Sequence, residues 1–231
     1  LRYAPAFTVT ALATIAICLG ANLAIFAVID AILLRSLPFP QSDRLVAIFN
    51  TYPKAGVERD GSSLTNYYER RGNISGFSSV SIFRYGSEVV GETGSTQQEK
   101  VMRISPDFFT TLGAGPVMGR SFDEAETITP IENHGAAILT DAYWRQRLNS
   151  DPNVLGREIR VNGAPRKIVG VLPPDFRFLS SDARIFLPLT SRLEQRTPQQ
   201  RHSGGGGTHM IARLKPGATV AEAQSQIDAH N

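Results

Sequence analysis

Chemistry at a protein site needs particular side chains at particular spacings, and this chain offers few such sets. His202 and His209 flank Gly204–Gly207, but a zinc site needs further His, Cys or carboxylate ligands close by, and none stands beside them. The acidic run Asp123, Glu124 and Glu126, with Glu132 and His134 further on, lacks the spacing of a rigid calcium loop and reads as a solvated loop. Gly204–Gly207 are followed neither by Gly-Lys-Ser/Thr nor by a helix pattern, so they do not cradle a phosphate and read as a flexible loop. Ser, His and Asp all occur, yet no strand–turn–helix elbow presents a serine nucleophile. No catalytic, cofactor-binding or metal-binding residue is assigned, and enzyme activity is not expected of this chain.

The element that dominates the rest is the stretch from Pro5 to Leu34. No charged residue lies between Arg2 and Asp30, and a bilayer core needs roughly 20 apolar residues in a helix. The apolar run exceeds the core of a cleaved signal peptide, so residues 1–35 are read as one N-terminal transmembrane helix. Pro5 suits its first turn, and Pro38 and Pro40 forbid continuation much past Arg35. Ala16, Gly20 and Ala24 recur every fourth residue as a small-residue stripe of the kind that lets helices approach in lipid. Asn22 sits mid-span on nearly the opposite face, and its carboxamide needs a partner in hydrocarbon. That partner is either its own helix backbone or a neighbouring helix from another copy or from further chain.

Composition narrows the classes. The 24 basic and 21 acidic residues give a net charge of +3. Setting aside Arg2, Arg35 and Asp30 leaves 22 basic against 20 acidic residues outside the span. A nucleic-acid binder shows a basic stripe; none is present, and no nucleic-acid partner is expected. The single cysteine, Cys18, lies inside the span and cannot support a disulfide framework.

Beyond the span, residues 36–231 alternate short strands and short helices, which predicts an α+β domain, with length enough for one large domain or two subdomains. Leu45–Thr51 reads as a buried strand, followed by a polar loop through Gly61. Ser63 caps a helix over Leu64–Arg71 that Gly72 ends. Val80–Arg84, Glu88–Thr93 and Lys100–Ile104 read as strands separated by Gly/Ser turns. Ser105 as N-cap and Pro106 at the first helical position open a short helix, which carries Phe108, Phe109 and Leu112 into the core and stops at Gly113. Ala136–Leu139 is a strand leading to Thr140, the cap of a helix over Asp141–Asn149. Trp144 and Leu148 share one face of that helix, so Trp144 is read as a core anchor. Asn162-Gly163 marks a hairpin with a type I′ turn, its register loosened by Ala164-Pro165. Pro173-Pro174 halts the hairpin, Asp175–Phe178 turns, and Ile185–Leu189 is a further strand. Thr208–Leu214 is a strand, Thr219–Glu222 a capping box, and the last helix runs from Val220 with Ala223 and Ile227 on one face. It is still running near Asn231, as expected of a domain cut inside a helix.

These segments, in this order, resemble MacB-like ABC transporter permeases of the FtsX-like type. IAICLGANLAIFAVIDAILLRSLPFP followed by DRLVAI resembles their first membrane helix and entry strand. ISPDFFTTLGAGPVMGRSF resembles their segment carrying Phe108, Phe109, Gly119 and Arg120. ILTDAYWRQRLNSDPNVLGREIRVNGAPRKIVGVLPPDFRF resembles the run carrying Trp144, Gly156, Asn162, Gly163, Pro173, Pro174 and Phe176. ARLKPGATVAEAQSQIDA resembles their closing helix. The likeness is greatest to the duplicated permeases.

The resemblance implies a bacterial inner-membrane protein whose residues 36–231 are extracytoplasmic, as a MacB-like periplasmic core domain of two subdomains. It implies a cytoplasmic ABC ATPase subunit, further permease helices or a second permease copy, and membrane lipid as partners. ATP-driven helix motion would then drive export or periplasmic work, with ATP hydrolysis on a separate chain and no cofactor here. The other reading of the residues is a single-span anchored binding or adhesion domain with no ATPase partner.

Overall fold

In the computed structural model, residues 5–29, 37–92, 94–128, 135–179, 181–192 and 207–230 are described. Contacts divide the chain into two units, Leu1–Leu37 and Pro38–Asn231. The first contains helix α1, Pro5–Ile29, apolar all round, as a helix within lipid is. Its segment Ala6–Ala27 is long and apolar enough to cross a membrane, and none of it is buried within the chain. The hydroxyls of Thr10 and Thr14 donate to the carbonyls of Ala6 and Thr10, each at 2.9 Å, which satisfies two polar groups inside the helix. Ala16, Gly20, Asn22 and Ala24 are exposed along it. The part of the expected span beyond Ile29 lies outside the described residues.

The second unit is mixed α+β. Its strands are β1 (Leu45–Ile48), β2 (Asn50–Tyr52), β3 (Val57–Asp60), β4 (Phe77–Val90), β5 (Gln97–Ile104), β6 (Met118–Gly119), β7 (Gly135–Leu139), β8 (Glu158–Val161), β9 (Ala164–Val171), β10 (Ile185–Pro188) and β11 (Thr208–Leu214). Its helices are α2 (Leu64–Arg70), α3 (Phe108–Leu112), α4 (Asp141–Leu148) and α5 (Val220–His230). Nine strands form one sheet in the order β1-β11-β4-β5-β10-β7-β9-β6, with β8 pairing both β4 and β9. That double pairing closes β4, β5, β10, β7, β9 and β8 into a ring. Val90 sits opposite Val161, and the Asn162 N–H donates to the Val89 carbonyl at 2.7 Å. A closed ring removes sheet edges. The two expected subdomains thus share one unbroken sheet.

Three apolar clusters fill the unit. One, inside the ring, joins Val101, Leu139, Ile159, Val161, Ile168, Ile185 and Leu187 to Tyr143 of α4. A second packs α2 and α5 on β11 and β4 through Tyr67, Ile82, Met210, Ala223 and Ile227. The third holds eight phenylalanines in and around α3. Burying a Leu- or Phe-sized side chain contributes about 1.5–3 kcal/mol, so these clusters rather than helix propensity hold such short helices.

Several expectations hold in detail. The Ser63 hydroxyl accepts from the Asn66 N–H at 3.1 Å, Thr140 from Tyr143 at 3.2 Å, and Thr219 from Glu222 at 3.2 Å. Gly113 takes φ +69 at the end of α3. Others are corrected. The expected strands 80–84 and 88–93 are one 14-residue strand, because β5 pairs it without a break from Phe83↔Ile104 to Val90↔Gln97, across Gly86. Leu45–Thr51 divides into β1 and β2, and the expected loop through Gly61 contains β3. Ser105 is not the cap of α3: Asp107 holds that position without a side-chain bond, and the Ser105 hydroxyl instead accepts from the Ile82 N–H at 3.1 Å. The hairpin is a tight two-residue turn, with Val161 opposite Ala164 and Arg160 opposite Pro165, so Ala164-Pro165 neither lengthens it nor makes a bulge. Residues 193–206, with His202 and most of the expected flexible loop, and residues 129–134, with Glu132 and His134, lie outside the described residues.

Candidate coupling site at the domain entry

The chain enters the second unit through Pro38-Phe39-Pro40-Gln41, and three devices fasten this segment. Phe39 is buried, its ring 6.0 Å from that of Phe176 and 6.2 Å from that of Phe178. Arg213 of β11 reaches four carbonyls. Nη1 donates to Pro40 at 2.9 Å and Gln41 at 3.1 Å. Nε donates to Thr111 at 2.8 Å and Nη2 to Leu112 at 2.9 Å. The last two belong to the end of α3, where carbonyls lack helical partners. Arg44 donates from Nε to the Leu214 carbonyl at 2.8 Å and also bonds the Gln41 side chain. Gln41 itself takes φ +50, a left-handed conformation that costs a non-glycine residue about 1–2 kcal/mol. Its carbonyl is held from two sides, by Arg213 and by the Arg44 N–H at 3.1 Å. Strain persists where the surroundings over-determine it in this way.

Arg213 is only 9% exposed and faces carbonyls rather than a carboxylate. Burial, together with the nearby Arg44 charge, pushes its pKa down while Asp43 opposes this. An arginine so placed remains charged, and its planar fork bridges strand, helix end and entry segment at once.

A second polar network ties α2 to α3. Arg71 pairs with Asp107 and with Glu124, each at 2.7 Å. The Tyr67 hydroxyl donates to Asp107 at 2.7 Å. Burial, then the Asp107 charge, pushes the Tyr67 phenol well above its usual range, so Tyr67 stays a donor. Its role is structural, since Tyr67 is buried and held as a donor to Asp107.

The residues singled out in the sequence do not form one site. Phe108, Phe109 and Phe176 do come together, with ring centroids 5.5 Å and 5.9 Å apart for the first and last pairs, and they adjoin Phe39. Gly119 serves backbone geometry: at φ +78, an added Cβ would sit 2.1 Å from the Val169 carbonyl oxygen. Arg120 beside it pairs with Glu126 at 2.8 Å. Trp144 donates its indole N–H to the Asp151 carbonyl at 2.9 Å and packs on the ring's core. Gly156 at φ +86, Asn162 at +51 and Gly163 at +77 serve turns. The Pro173 carbonyl accepts from the Phe176 N–H at 3.1 Å, so Pro173 and Pro174 shape the turn that delivers Phe176. Sequence reading missed Arg213 and Arg44. The available signal was a charge in the middle of the apolar strand MIARL, which demands a buried partner. Among the described residues, no group of three His, Cys, Asp or Glu could hold a metal ion.

The family model described as MacB-like periplasmic core domain matches residues 8–230. The chain belongs to that family. It is 25% identical over 163 residues to the macrolide export ATP-binding/permease protein MacB of Bartonella henselae. That match covers 68% of this chain and 21% of the relative, so the chain spans about a fifth of it. The fold resembles the periplasmic region of MacB from Actinobacillus actinomycetemcomitans, with TM-score 0.56 and 14% identity, covering 81% of this chain and 84% of that one. It also resembles the extracellular domain of the noncanonic ABC-type transporter YknZ from Gram-positive bacteria, with TM-score 0.52 and 12% identity, covering 79% and 88%. The entry clamp described above is therefore a feature of a MacB-like periplasmic core domain that follows an apolar helix.

Proposed function

We propose that this chain is the first membrane helix and the extracytoplasmic domain of an ABC transporter permease in a bacterial inner membrane. In this reading residues 1–35 cross the membrane and residues 36–231 lie outside it. A cytoplasmic ATPase subunit drives helix motion, and further permease helices or a second copy pack on α1. The domain transmits that motion to a substrate or partner outside the membrane.

The observation that supports the reading best is the Arg213 clamp on Pro40 and Gln41. A helix can move a domain only if the joint between them is stiffer than the domain's resistance. Here the entry backbone is bonded to β11, a strand flanked by β1 and β4, and to the end of α3. The aromatic cluster around Phe39 adds a second attachment. Displacement of Pro40 is thereby passed to the sheet rather than absorbed in a loop.

The test uses the complete permease with its ATPase in nanodiscs. Spin labels at the exposed Arg145 of two copies would report the distance between domains with and without ATP and vanadate. The expected outcome is an ATP-dependent distance change that Arg213→Met reduces. Failure of any ATPase to co-purify, or a distance that never responds to nucleotide, would overturn the proposal and leave the anchored binding domain.

A further inference from the structure

The interior of the ring carries an imbalance of charge. Along a strand, residues two apart face the same side. Glu88 precedes Val90, Arg103 follows Val101, and Arg166 precedes Ile168, and these three apolar residues belong to the ring's own core. The three polar residues therefore point toward the ring's interior. Arg84 lies opposite Arg103 in the β4–β5 ladder and four residues before Glu88, on the same face. Glu99, opposite Glu88 in the same ladder and also on this face, is taken by Arg147 and Arg184, which leaves Glu88 as the carboxylate among Arg84, Arg103 and Arg166.

That carboxylate is already occupied. Glu88 accepts from Arg103 at 2.6 Å and from the side-chain amide of Asn162, which is itself fixed by the Val89 N–H at 3.0 Å. Arg103 and Glu88 are only 22% and 15% exposed. Among the described residues Arg166 has no acceptor: its Nε is buried with no hydrogen-bond partner, and no ion pair to it or to Arg84 occurs among them. Its guanidinium lies directly over Gly135, where even a Cβ would come within 1.6 Å of Nη1. Glycine leaves the space in which this group is laid flat. A buried donor without a partner is costly, and the half-buried charge of Arg166 adds to that cost, while Arg84 is exposed.

We propose that Arg84, Arg103 and Arg166, framed by Glu88 and Asn162 at the mouth of the ring, form a binding site for a phosphate-type dianion. Three guanidiniums less one carboxylate leave two positive charges, which matches a phosphate monoester or inorganic phosphate. The fork of an arginine binds such oxyanions through paired hydrogen bonds. Burial and the Arg103 charge, partly offset by Glu88, push the Arg166 pKa down, so an anion there relieves an existing cost.

The experiment titrates inorganic phosphate into the full chain in maltoside micelles, at low salt, by calorimetry. Saturable binding is expected, weakened tenfold or more by Arg166→Gln. Gly135→Ala, which displaces the guanidinium without changing charge, should weaken it similarly. Arg160→Gln should not, since Arg160 is occupied with Glu92 at 3.1 Å and the Gly163 carbonyl at 2.9 Å. Circular dichroism melting of each variant separates lost binding from lost folding. The same titration with phosphatidic acid in the micelle distinguishes the sources. Competition with phosphate assigns the site to a lipid headgroup, and no competition assigns it to a soluble phosphate. No saturable binding in the wild type, or equal affinity in all folded variants, overturns the site.

Discussion

Arg213 and Pro40 stand 173 positions apart in sequence, yet the guanidinium of one donates to the carbonyl of the other at 2.9 Å. Replacing Arg213 by Met keeps the aliphatic stem but removes the donor to four carbonyls, of which Gln41 keeps the Arg44 N–H. Hydrogen bonds to a charged group contribute about 1.5–3 kcal/mol net. A loss of that order lowers the melting temperature of a unit this size by roughly 4–10 °C, measurable by thermal unfolding. A shift below 1 °C would show that water replaces the clamp without cost.

Gly119 and Gly163 separate steric need from conformational need. Both have positive φ, but an added Cβ at Gly163 meets nothing within 4 Å, whereas at Gly119 it meets the Val169 carbonyl at 2.1 Å. Gly163→Ala should cost about 1 kcal/mol from the left-handed backbone alone. Gly119→Ala must also push β6 from β9, and should cost about 3 kcal/mol or more. Urea unfolding of the two variants gives the comparison, and equal losses would contradict it.

The aromatic cluster predicts a graded series. Phe108 is fully buried, with ring centroids 4.9 Å from Phe178 and 5.7 Å from Phe83. Phe108→Ala should cost about 3–5 kcal/mol. Phe176 is 9% exposed at the cluster's rim, so Phe176→Ala should cost less. The reverse order in urea unfolding would mean that the cluster's centre lies elsewhere.

Glu88 predicts acid sensitivity. Burial alone would raise its pKa, but hydrogen bonds from Arg103 and Asn162 and the charges of Arg103 and Arg84 hold it below the usual carboxylate range. A depressed folded pKa stabilises the fold above the unfolded value, about 4.3, and that contribution disappears as pH falls through the folded value. Between pH 5 and 3 the wild type should lose stability more steeply than Glu88→Gln. Parallel curves in denaturant titrations across that window would exclude Glu88 as a contributor.

Gly20 tests the packing of α1. Among the described residues nothing lies within 4 Å of a Cβ added there, so the new side chain in Gly20→Ile starts in open space. If the Ala16, Gly20 and Ala24 stripe packs on another helix, the substitution should reduce dimer assembly and ATPase activity in the complete permease. Unchanged assembly on blue native gels would remove the stripe from the interface.

Much of this architecture was legible in the sequence because its causes are local. Ser63, Thr140 and Thr219 cap helices through groups three residues away, Asn162-Gly163 makes its turn from its own φ preferences, and the α1 span follows from an uninterrupted run of apolar residues. Phe108, Phe109 and Leu112 read as core because apolar side chains on a Pro- and Gly-bounded helix have nowhere else to go, whereas Phe176 reads only as part of a turn. The expected cap at Ser105 failed for a non-local reason: Ile82 of β4 competes for the same hydroxyl.

The sequence by itself determined the apolar helix, the α+β content and the order of motifs, because these depend on neighbours within about four residues. Only the tertiary structure decided that Gly86 lies inside one long strand, that β8 closes the sheet on β4, and that Arg213 fastens the entry segment. Each depends on a partner brought from far along the chain. Backbone hydrogen bonding to β5 outweighs the turn preference of a glycine, and a buried guanidinium takes whichever carbonyls the fold presents to it. Residue order records the donors, and the fold supplies the acceptors.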